Sequence, residues 1–432
     1  MANNLVAVLG FVALFALMLL RVPVGLAMGA VGIVGFGYLT GFGPALALLA
    51  QSPIRTATEA GFAVIPLFIL MGNYSSHSGM SRELFKAADS FFGHRRGGLG
   101  MATILSSGGF AAISGSSVAT SATFSTVAYP EMLRFGYPRS FAAGTVAAGG
   151  TLGILIPPSN ILAVYGILTD QDIGRLFIAG LLPGILATVM YLLTISAINW
   201  RRPDYLPGRE RSGWSERLAA VRNIWAIALL FLVVIGGLYG GVFTPTEAAG
   251  VGATGALLIS LARRKLDRAA FWEATVSAVR VTASVFTILI GALLFGYFLT
   301  ITQTPQQITA FLTDLGIGPY GVLFLILVMY IVLGCMMDTM AMVILTVPIV
   351  FPVILALGFD PIWFGIIIVM TVELGLITPP IGMNIFVIKS VVRDIELPEI
   401  FRGVVPFVVT DLVRLAILIA FPALVLWLPS QM

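Results

Sequence analysis

Residues 150–160 read GTLGILIPPSN, and residues 373–384 read ELGLITPPIGMN. Each stretch places two consecutive prolines within a long apolar run, residues 139–168 in the first case and residues 361–390 in the second. Tandem prolines remove two backbone N–H donors and force extended geometry on the residue before them, so a helix breaks there. A simple kink or a loop at a membrane surface would also explain one such motif. Its recurrence, with apolar residues on both sides, favours two helices that break within the bilayer.

The composition around these motifs is that of a polytopic membrane protein. Of the 432 residues, 58% are hydrophobic and 10% are charged, whereas about a quarter of the residues are charged in a soluble chain. A single cysteine, Cys335, and two histidines exclude a disulfide framework and a cysteine- or histidine-based transition-metal site. Without a Walker loop or a nucleophile–base set, we expect no enzymatic activity. The net charge of +4 is spread over short loops and does not indicate nucleic-acid binding.

Basic residues set the predicted topology. They cluster at residues 82–96, 201–222, 263–268 and 389–402. The positive-inside rule places these clusters in the cytoplasm. The first apolar run, residues 5–20, has no basic residue before it, so it is interpreted as a retained helix and not as a signal peptide.

Counting crossings between the clusters predicts ten spans, with both termini outside. Two further apolar segments, about 97–134 and about 320–357, must enter and leave on the same side. Such segments are re-entrant hairpins, which are tolerated only where protein or a water-filled cavity satisfies the tip.

The two halves of the chain match at an offset of 222 residues. Residues 115–158 align with residues 337–380 without a gap, and eight positions are identical. Any two hydrophobic halves look partly alike, which is the alternative explanation. The matches fall on prolines and glycines, however, and these residues fix backbone shape. Because the charges place the two hairpin mouths on opposite sides, the halves are predicted to run in opposite senses, as in secondary transporters.

The sequence therefore predicts an all-α polytopic membrane protein built as an inverted repeat with two re-entrant hairpins and two broken helices. The predicted parts are a first repeat at 1–200 (hairpin about 97–134, broken helix about 139–168), a cytoplasmic linker at 201–222, and a second repeat at 223–432 (hairpin about 320–357, broken helix about 361–390).

The hairpin tips and the breaks hold the candidate chemistry. The first tip reads SSGGFAAISGSS at residues 106–117, and the second reads GCMMDT at residues 334–339. Hydroxyls and freed carbonyls are hard oxygen ligands that suit a desolvated Na⁺. Asp338 in the second tip is an intramembrane carboxylate, and such groups are functional candidates by default.

Several of these polar residues have a simpler structural explanation. Asp338 has the position of a helix N-cap. Glu373 and Glu247 share the ambiguity between a structural and a functional role. Asn160 and Asn384 follow the two breaks and would either donate to an anionic substrate or bond the backbone.

Five segments together resemble the large membrane subunit of the tripartite ATP-independent periplasmic (TRAP) transporters. They are residues 112–120 (AISGSSVAT), 150–159 (GTLGILIPPS), 338–342 (DTMAM), 357–365 (LGFDPIWFG) and 373–384. The resemblance implies a Na⁺-coupled importer of organic acids, in which the hairpins and broken helices form an elevator-type transport domain that slides against a scaffold. It also implies a bacterial inner-membrane location, a separate small four-helix membrane subunit and a periplasmic substrate-binding protein.

The resemblance also assigns roles to residues. The implied sodium-binding residues are Ser114, Ser117, Gly153, Ile156 and Pro158 in the first half, and Gly334, Gly375, Thr378 and Ile381 in the second half. The residues expected near a substrate carboxylate between the tips are Ser116, Ser159, Asn160, Asp338, Thr339 and Asn384. No cofactor beyond Na⁺ as coupling ion is expected. The alternatives are a stand-alone anion symporter or antiporter that needs no binding protein, and a channel.

Overall fold

The computed structural model of the chain describes residues 2–335 and 337–431, and it describes side chains from Leu5 onward. Met336, in the second predicted tip, lies outside the described residues. Within those ranges every regular element is a helix, so the all-α prediction is confirmed. The first half contains α1 (Ala2–Leu19), α2 (Val24–Thr40), α3 (Phe42–Thr58), α4 (Val64–His77), α5 (Met80–Phe92), α6 (Gly98–Ser114), α7 (Ser117–Arg134), α8 (Arg139–Leu155), α9 (Asn160–Thr169) and α10 (Ile173–Arg201). The second half contains α11 (Trp214–Asn223), α12 (Trp225–Tyr239), α13 (Pro245–Ala262), α14 (Arg268–Ile301), α15 (Thr304–Asp314), α16 (Gly318–Gly334), α17 (Thr339–Ala356), α18 (Pro361–Ile377), α19 (Met383–Val391), α20 (Leu397–Ala420) and α21 (Ala423–Leu426).

Many of these helices are long and apolar enough to cross a bilayer. In the described ranges, five qualify by length and composition, and up to seven do if each bent helix pair counts as one span. The shorter apolar helices include α2, α6, α16 and α18. A hydrocarbon core about 30 Å thick needs about 20 residues of helix. The chain is therefore a multi-pass membrane protein.

Both hairpins are pairs of packed antiparallel helices. The first consists of α6 and α7, and the second consists of α16 and α17. The first chain reversal falls at Gly115 and Ser116, where Gly115 has a φ of +56°. A residue with a side chain is strained in that left-handed conformation, and glycine is not.

The first tip is shorter than the sequence suggests. Ser106 and Ser107 belong to α6, which continues to Ser114. The Ser106 hydroxyl donates to the Ala102 carbonyl at 2.6 Å, one turn earlier in the same helix. The small residues at 106–113 therefore continue the helix, and the Ser106 hydroxyl bonds within it and does not compete for the turn.

The two long helices break where the tandem prolines stand. The first stops at Leu155 and resumes at Asn160, and the second stops at Ile377 and resumes at Met383. The peptide bonds Pro157–Pro158 and Pro379–Pro380 are both cis.

Helices of one half pack against helices of the other. The extensive contacts include α2 with α14, α4 with α13, α7 with α19 and α9 with α17. Gly25 and Gly32 let α2 approach the backbone of α14: a Cβ at Gly25 would lie 2.6 Å from the Thr287 carbonyl oxygen. Close approach at small residues is how membrane helices associate without a hydrophobic driving force between them.

The segment between the halves lies across the mouth of the first hairpin. The Arg209 guanidinium pairs with Asp89 of α5 and lies 5.0 Å from the centre of the Phe135 ring, just after α7. The Arg209 backbone N–H donates to the Gly93 carbonyl at 3.0 Å. Burial raises the pKa of the Asp89 carboxyl, and the neighbouring Arg209 opposes that rise. The predicted linker at 201–222 is partly helical, because α10 continues to Arg201 and α11 begins at Trp214.

Candidate functional site

The first hairpin tip packs against the last turn of α8. A Cβ at Gly153 would lie 2.6 Å from the Ser116 carbonyl oxygen and 2.9 Å from the Ser117 nitrogen. A Cβ at Gly115 would lie 2.7 Å from the Pro158 carbonyl oxygen. Two glycines thus allow the backbone of the tip to lie directly against the backbone of the break.

The tandem prolines leave two carbonyls of α8 without their usual donors. In an α-helix the carbonyl of residue i accepts from the N–H of residue i+4. For Gly153 and Ile154 those positions are Pro157 and Pro158, which have no N–H. The Ser159 hydroxyl donates to the Ile154 carbonyl at 2.5 Å. The Gly153 carbonyl has no N–H at its i+4 position, and Gly153 is one of the sodium ligands that the family resemblance implies.

Hydroxyls surround the same junction. Ser114 Oγ lies 3.0 Å from Thr120 Oγ1, and Thr120 Oγ1 donates to the Ser116 carbonyl at 2.8 Å. Ser117 is buried and accepts a hydrogen bond of 2.6 Å from the Asn384 amide. The first predicted sodium set is thus brought together around one tip and one break.

The second junction repeats this arrangement with different side chains. A Cβ at Gly375 would lie 2.8 Å from the Gly334 Cα, so the two glycine backbones are in contact. Pro379 occupies the i+4 position of Gly375, and the Gly375 carbonyl accepts instead from the Thr378 backbone N–H at 3.4 Å. Thr378 Oγ1 lies 3.3 Å from that carbonyl and 3.2 Å from Cys335 Sγ. Three of the four residues of the second predicted sodium set therefore adjoin one another, and Ile381 lies in the break beside them.

The six predicted substrate residues fall into three places. Ser116, Ser159 and Asn160 lie at the first junction, where the Asn160 amide donates to the Gly115 carbonyl at 3.4 Å. Asn384 of α19 reaches across to Ser117. Asp338 and Thr339 lie at the second tip.

Within residues 2–335 and 337–431, no hydrogen bond joins the pair at the second tip to the other four substrate residues. The side-chain oxygens of Asn160 and Asn384 are both buried and have no hydrogen-bond partner there. The free amide oxygens of both residues can accept a hydrogen bond from a ligand or a water molecule.

Asp338 caps a helix in this structure. Its carboxylate accepts from the backbone nitrogens of Met340 and Ala341, at 3.1 and 3.4 Å, at the start of α17. Glu247 is likewise structural, because it forms a capping box with Thr244 at the start of α13. A cap satisfies the orphan donors of a first helical turn.

The two junctions differ in exposure. Ser159, Asn160 and Asn384 are buried, whereas Asp338 and the prolines of the second break are exposed. Two surface cavities, of about 620 and 1130 Å³, are lined by other residues and lie away from both junctions. In this conformation the first junction is covered, and the second is the more accessible.

Sequence reasoning missed one buried charged cluster. It singled out Glu373 alone, yet the Arg414 side chain lies 3.3 Å from Glu373 and 3.0 Å from Asp411, and all three are buried. Two opposite charges three residues apart within the apolar run 403–428 were the available signal. Among the described residues, no group of His, Cys, Asp and Glu could hold a metal ion.

Comparisons with known proteins agree with this architecture. The sequence model of the DctM component of the tripartite ATP-independent periplasmic transporters matches residues 11–424. The C4-dicarboxylate TRAP transporter large permease protein DctM of Pseudomonas aeruginosa is 38% identical over 384 residues, which cover 88% of this chain and 89% of that protein. The isethionate TRAP transporter permease protein DctMQ of Oleidesulfovibrio alaskensis is 33% identical over 417 residues, which cover 96% of this chain and 65% of that protein.

Among solved structures, the YdaH transporter of Alcanivorax borkumensis has a similar fold. Its TM-score is 0.58 at 15% sequence identity, and the match covers 88% of this chain and 90% of that one. These similar proteins are transporters and permeases, not enzymes, in agreement with the sequence-based expectation.

Proposed function

Because the chain belongs to the DctM family, the large permease subunits of tripartite ATP-independent periplasmic transporters, we propose that it imports small organic carboxylates in symport with Na⁺. The observation that carries the proposal is the pair of tip–break junctions. At each, a glycine of the broken helix lies against the backbone of a hairpin tip, and a proline occupies the i+4 position that would normally donate to the carbonyl of that glycine. Such carbonyls suit a desolvated cation.

We assign one sodium ion to each junction. At the first, the ligands are drawn from Ser114, Ser117, Gly153, Ile156 and Pro158. At the second, they are drawn from Gly334, Gly375, Thr378 and Ile381. The contacts of Gly153 with the first tip and of Gly375 with the second support both sets. Many of these ligands act through backbone carbonyls, since Ile156, Pro158 and Ile381 carry no polar side chain.

The substrate carboxylate is assigned to the polar surface between the two tips. Its proposed residues are Ser116, Ser159, Asn160, Asp338, Thr339 and Asn384. The hydrogen bond from Asn384 to Ser117 joins this surface to the first sodium set, so that ion binding and substrate binding share a side chain. Through the P. aeruginosa relative, C4-dicarboxylates are the first substrate class to test.

Transport is proposed to follow an elevator mechanism within an inverted repeat, with domain boundaries at 1–200, 201–222 and 223–432. The cross-packing of α2 with α14 and of α4 with α13 supports a scaffold made from both halves. The hairpins and broken helices form the moving part. The Na⁺ gradient and the membrane potential, about 2.3 kcal/mol per charge per 100 mV, drive the cycle.

The partners are proposed to be a separate small four-helix membrane subunit and a periplasmic substrate-binding protein. The longer DctMQ relative supports a subunit that is fused in some members, since this chain covers 65% of it. Exposed apolar side chains on α1 and α2, such as Leu9, Val12 and Val34, provide a lipid-facing surface for such a helical subunit. The proposed location is the bacterial inner membrane, with both termini in the periplasm.

The decisive experiment is uptake of labelled succinate into proteoliposomes, with isethionate and sialic acid as comparison substrates. Uptake that needs a Na⁺ gradient, the small subunit and the binding protein would establish the tripartite function. Uptake by this chain alone would instead assign it to the stand-alone symporters. Flux at channel rates without accumulation would contradict both.

A further inference from the structure

A buried charged cluster lies behind the two proposed ion sites and belongs to neither. Glu373, Asp411 and Arg414 are each at most 2% exposed. Burying charges is expensive unless they are paired and hydrogen-bonded. Charged groups inside membrane helices therefore mark function more often than stability.

The cluster is continuous with two uncharged residues. Arg414 Nη2 donates to Glu373 Oε2 at 3.3 Å and lies 3.0 Å from Asp411 Oδ1. The Tyr191 hydroxyl donates to Asp411, with both carboxylate oxygens at 2.8 Å. Thr151 Oγ1 lies 3.0 Å from the Tyr191 hydroxyl. These five side chains, which we call the buried relay, connect α8 through α10 and α20 to α18.

The ends of the relay occupy equivalent positions in the two halves. Glu373 follows Thr151 by 222 residues, which is the offset of the repeat. Arg414 follows Tyr191 by 223 residues, the offset that also relates Pro183 to Pro406. The Thr151–Tyr191 contact of the first half therefore corresponds to the Glu373–Arg414 contact of the second, and Asp411 joins the two.

Each end of the relay lies on the back of an ion-site helix. Thr151 precedes Gly153 by two residues, and Glu373 precedes Gly375 by two. At 3.6 residues per turn, side chains two residues apart point about 200° away from each other. In each broken helix, the last turn therefore contacts a hairpin tip through its glycine on one face and the relay on the opposite face.

Two spare donors and one spare acceptor allow the relay to change its pairing. Among the described residues, Arg414 Nε, Arg414 Nη1 and Glu373 Oε1 are buried and have no hydrogen-bond partner. Energetic coupling between distant sites requires a network of side chains that can adopt more than one hydrogen-bonding arrangement.

We propose that the buried relay couples the two sodium sites, so that ordering one break by Na⁺ favours the geometry that binds Na⁺ at the other. This inference rests on the proposed function. Its five members act as positioning residues, because they touch the ligand-bearing helices and not the ions.

The test measures how uptake and thermal stability depend on Na⁺ concentration, with choline chloride replacing NaCl. For two coupled sites, the wild-type chain is expected to show a Hill coefficient approaching two. Tyr191→Phe removes the hydroxyl that joins the halves and is expected to lower that coefficient to about one, while the maximal rate at saturating Na⁺ stays within about twofold. Tyr330→Phe is the matched control, because Tyr330 is equally buried and its hydroxyl bonds only Thr346 within the second hairpin.

Further variants separate a coupling role from a folding role. Thr151→Val cuts the same link from its other end, and it replaces Tyr191→Phe if that protein does not fold. Glu373→Gln weakens the contact between Glu373 and Arg414 at the other end of the relay, and it is expected to raise the half-saturating Na⁺ concentration several-fold in both assays.

The results of these variants separate the relay from the proposed function. An unchanged Hill coefficient in both Tyr191→Phe and Thr151→Val would overturn the relay and leave the proposed function standing. A wild-type chain whose uptake and thermal midpoint both ignore Na⁺ would remove the proposed function and the inference with it.

Discussion

Gly153 is the residue at which the tip–break contact is most sensitive to a single methyl group. Gly153→Ala places a Cβ 2.6 Å from the Ser116 carbonyl oxygen, so the hairpin tip must move away from α8. Overpacking of this kind costs about 1–3 kcal/mol. We expect a loss of about ten- to a hundredfold in the initial rate of Na⁺-dependent uptake at limiting Na⁺.

The control for that change is Gly296→Ala. Gly296 lies in α14 with open space around its Cα, so the same methyl group meets nothing. Its uptake is expected to equal that of the wild type. If Gly153→Ala also transports normally, the tip–break junction is not an ion site.

Ser117 and Thr378 offer a second test, one residue in each proposed sodium set. Ser117→Leu and Thr378→Leu fill the ion positions with apolar atoms and are expected to abolish Na⁺-dependent uptake while membrane expression continues. The matched variant Ser284→Leu changes an exposed serine on α14 and is expected to be neutral. Scintillation counting of labelled substrate, with expression followed by immunoblot, decides between these outcomes.

Arg414 is expected to contribute to the thermal stability of the protein, because it is the cation that pairs with both Glu373 and Asp411. Arg414→Met leaves Glu373 and Asp411 buried without a cation, and breaking a buried pair costs about 3–5 kcal/mol. Thermal unfolding of the detergent-solubilised chain is expected to shift downward by several degrees. Arg175→Met, an exposed arginine on α10, should leave the midpoint in place. Equal midpoints for the two variants would contradict the role of Arg414.

Some site residues could be identified from sequence because backbone chemistry determined them. Prolines at 157, 158, 379 and 380 dictate the breaks without reference to tertiary structure. Apart from the Asp411 and Arg414 pair, the contacts of the relay could not be read from the sequence, because they join residues as far apart as Tyr191 and Asp411. Side-chain pairing over such separations depends on how helices pack, which a single sequence does not encode in any local pattern.

At the scale of elements, the linker segment at 201–222 is fixed against the mouth of the first hairpin by Arg209. Arg209→Ala removes an ion pair with Asp89 and a cation–π contact with Phe135. Exposed interactions of these kinds each contribute up to about 1 kcal/mol. Cleavage after Glu210 by a glutamate-specific protease is therefore expected to speed up by about five- to thirtyfold.

The neighbouring variant Arg211→Ala provides the comparison, because Arg211 is exposed and is not part of the Arg209 contacts with Asp89 and Phe135. Cleavage of that variant is expected at the wild-type rate. Identical rates for Arg209→Ala and wild type would show that other contacts hold the segment.

Helix boundaries could be predicted from the sequence where the apolar run ends at the same residue as the helix. They could not be predicted where the helix continues into polar residues. The apolar run at 283–300 belongs to a helix that begins at Arg268, where Asp267 caps it by accepting from the Ala270 nitrogen at 2.7 Å. Glu273 and Arg280 interrupt the apolar pattern but are good helix formers. Residues 42–58, which form α3, were not among the apolar runs counted as crossings from the sequence, since Gln51 and Arg55 dilute their apolar character.

At the scale of the whole molecule, the direction of net charge movement is testable. If more positive charge enters with Na⁺ than leaves with the carboxylate, an inside-negative potential accelerates uptake by up to about fiftyfold per charge per 100 mV. Potassium diffusion potentials set with valinomycin in proteoliposomes measure the effect. An inside-positive potential should slow uptake, and indifference to both signs would contradict electrogenic symport.

The relay also differs between the two halves of the proposed repeat. If both halves had a Glu–Arg pair at these positions, as Glu373 and Arg414 do, the buried charges would balance. If both halves had a Thr–Tyr pair, as Thr151 and Tyr191 do, no charge would be buried. Asp411 breaks this balance, and its counterpart at the offset of 223 is the uncharged Thr188. The two proposed ion sites therefore differ in the side chains that lie behind them. If both proposed sodium sites exist, a variant with identical halves is expected to bind its two cations with identical affinity, and the present chain is expected to bind them with different affinities.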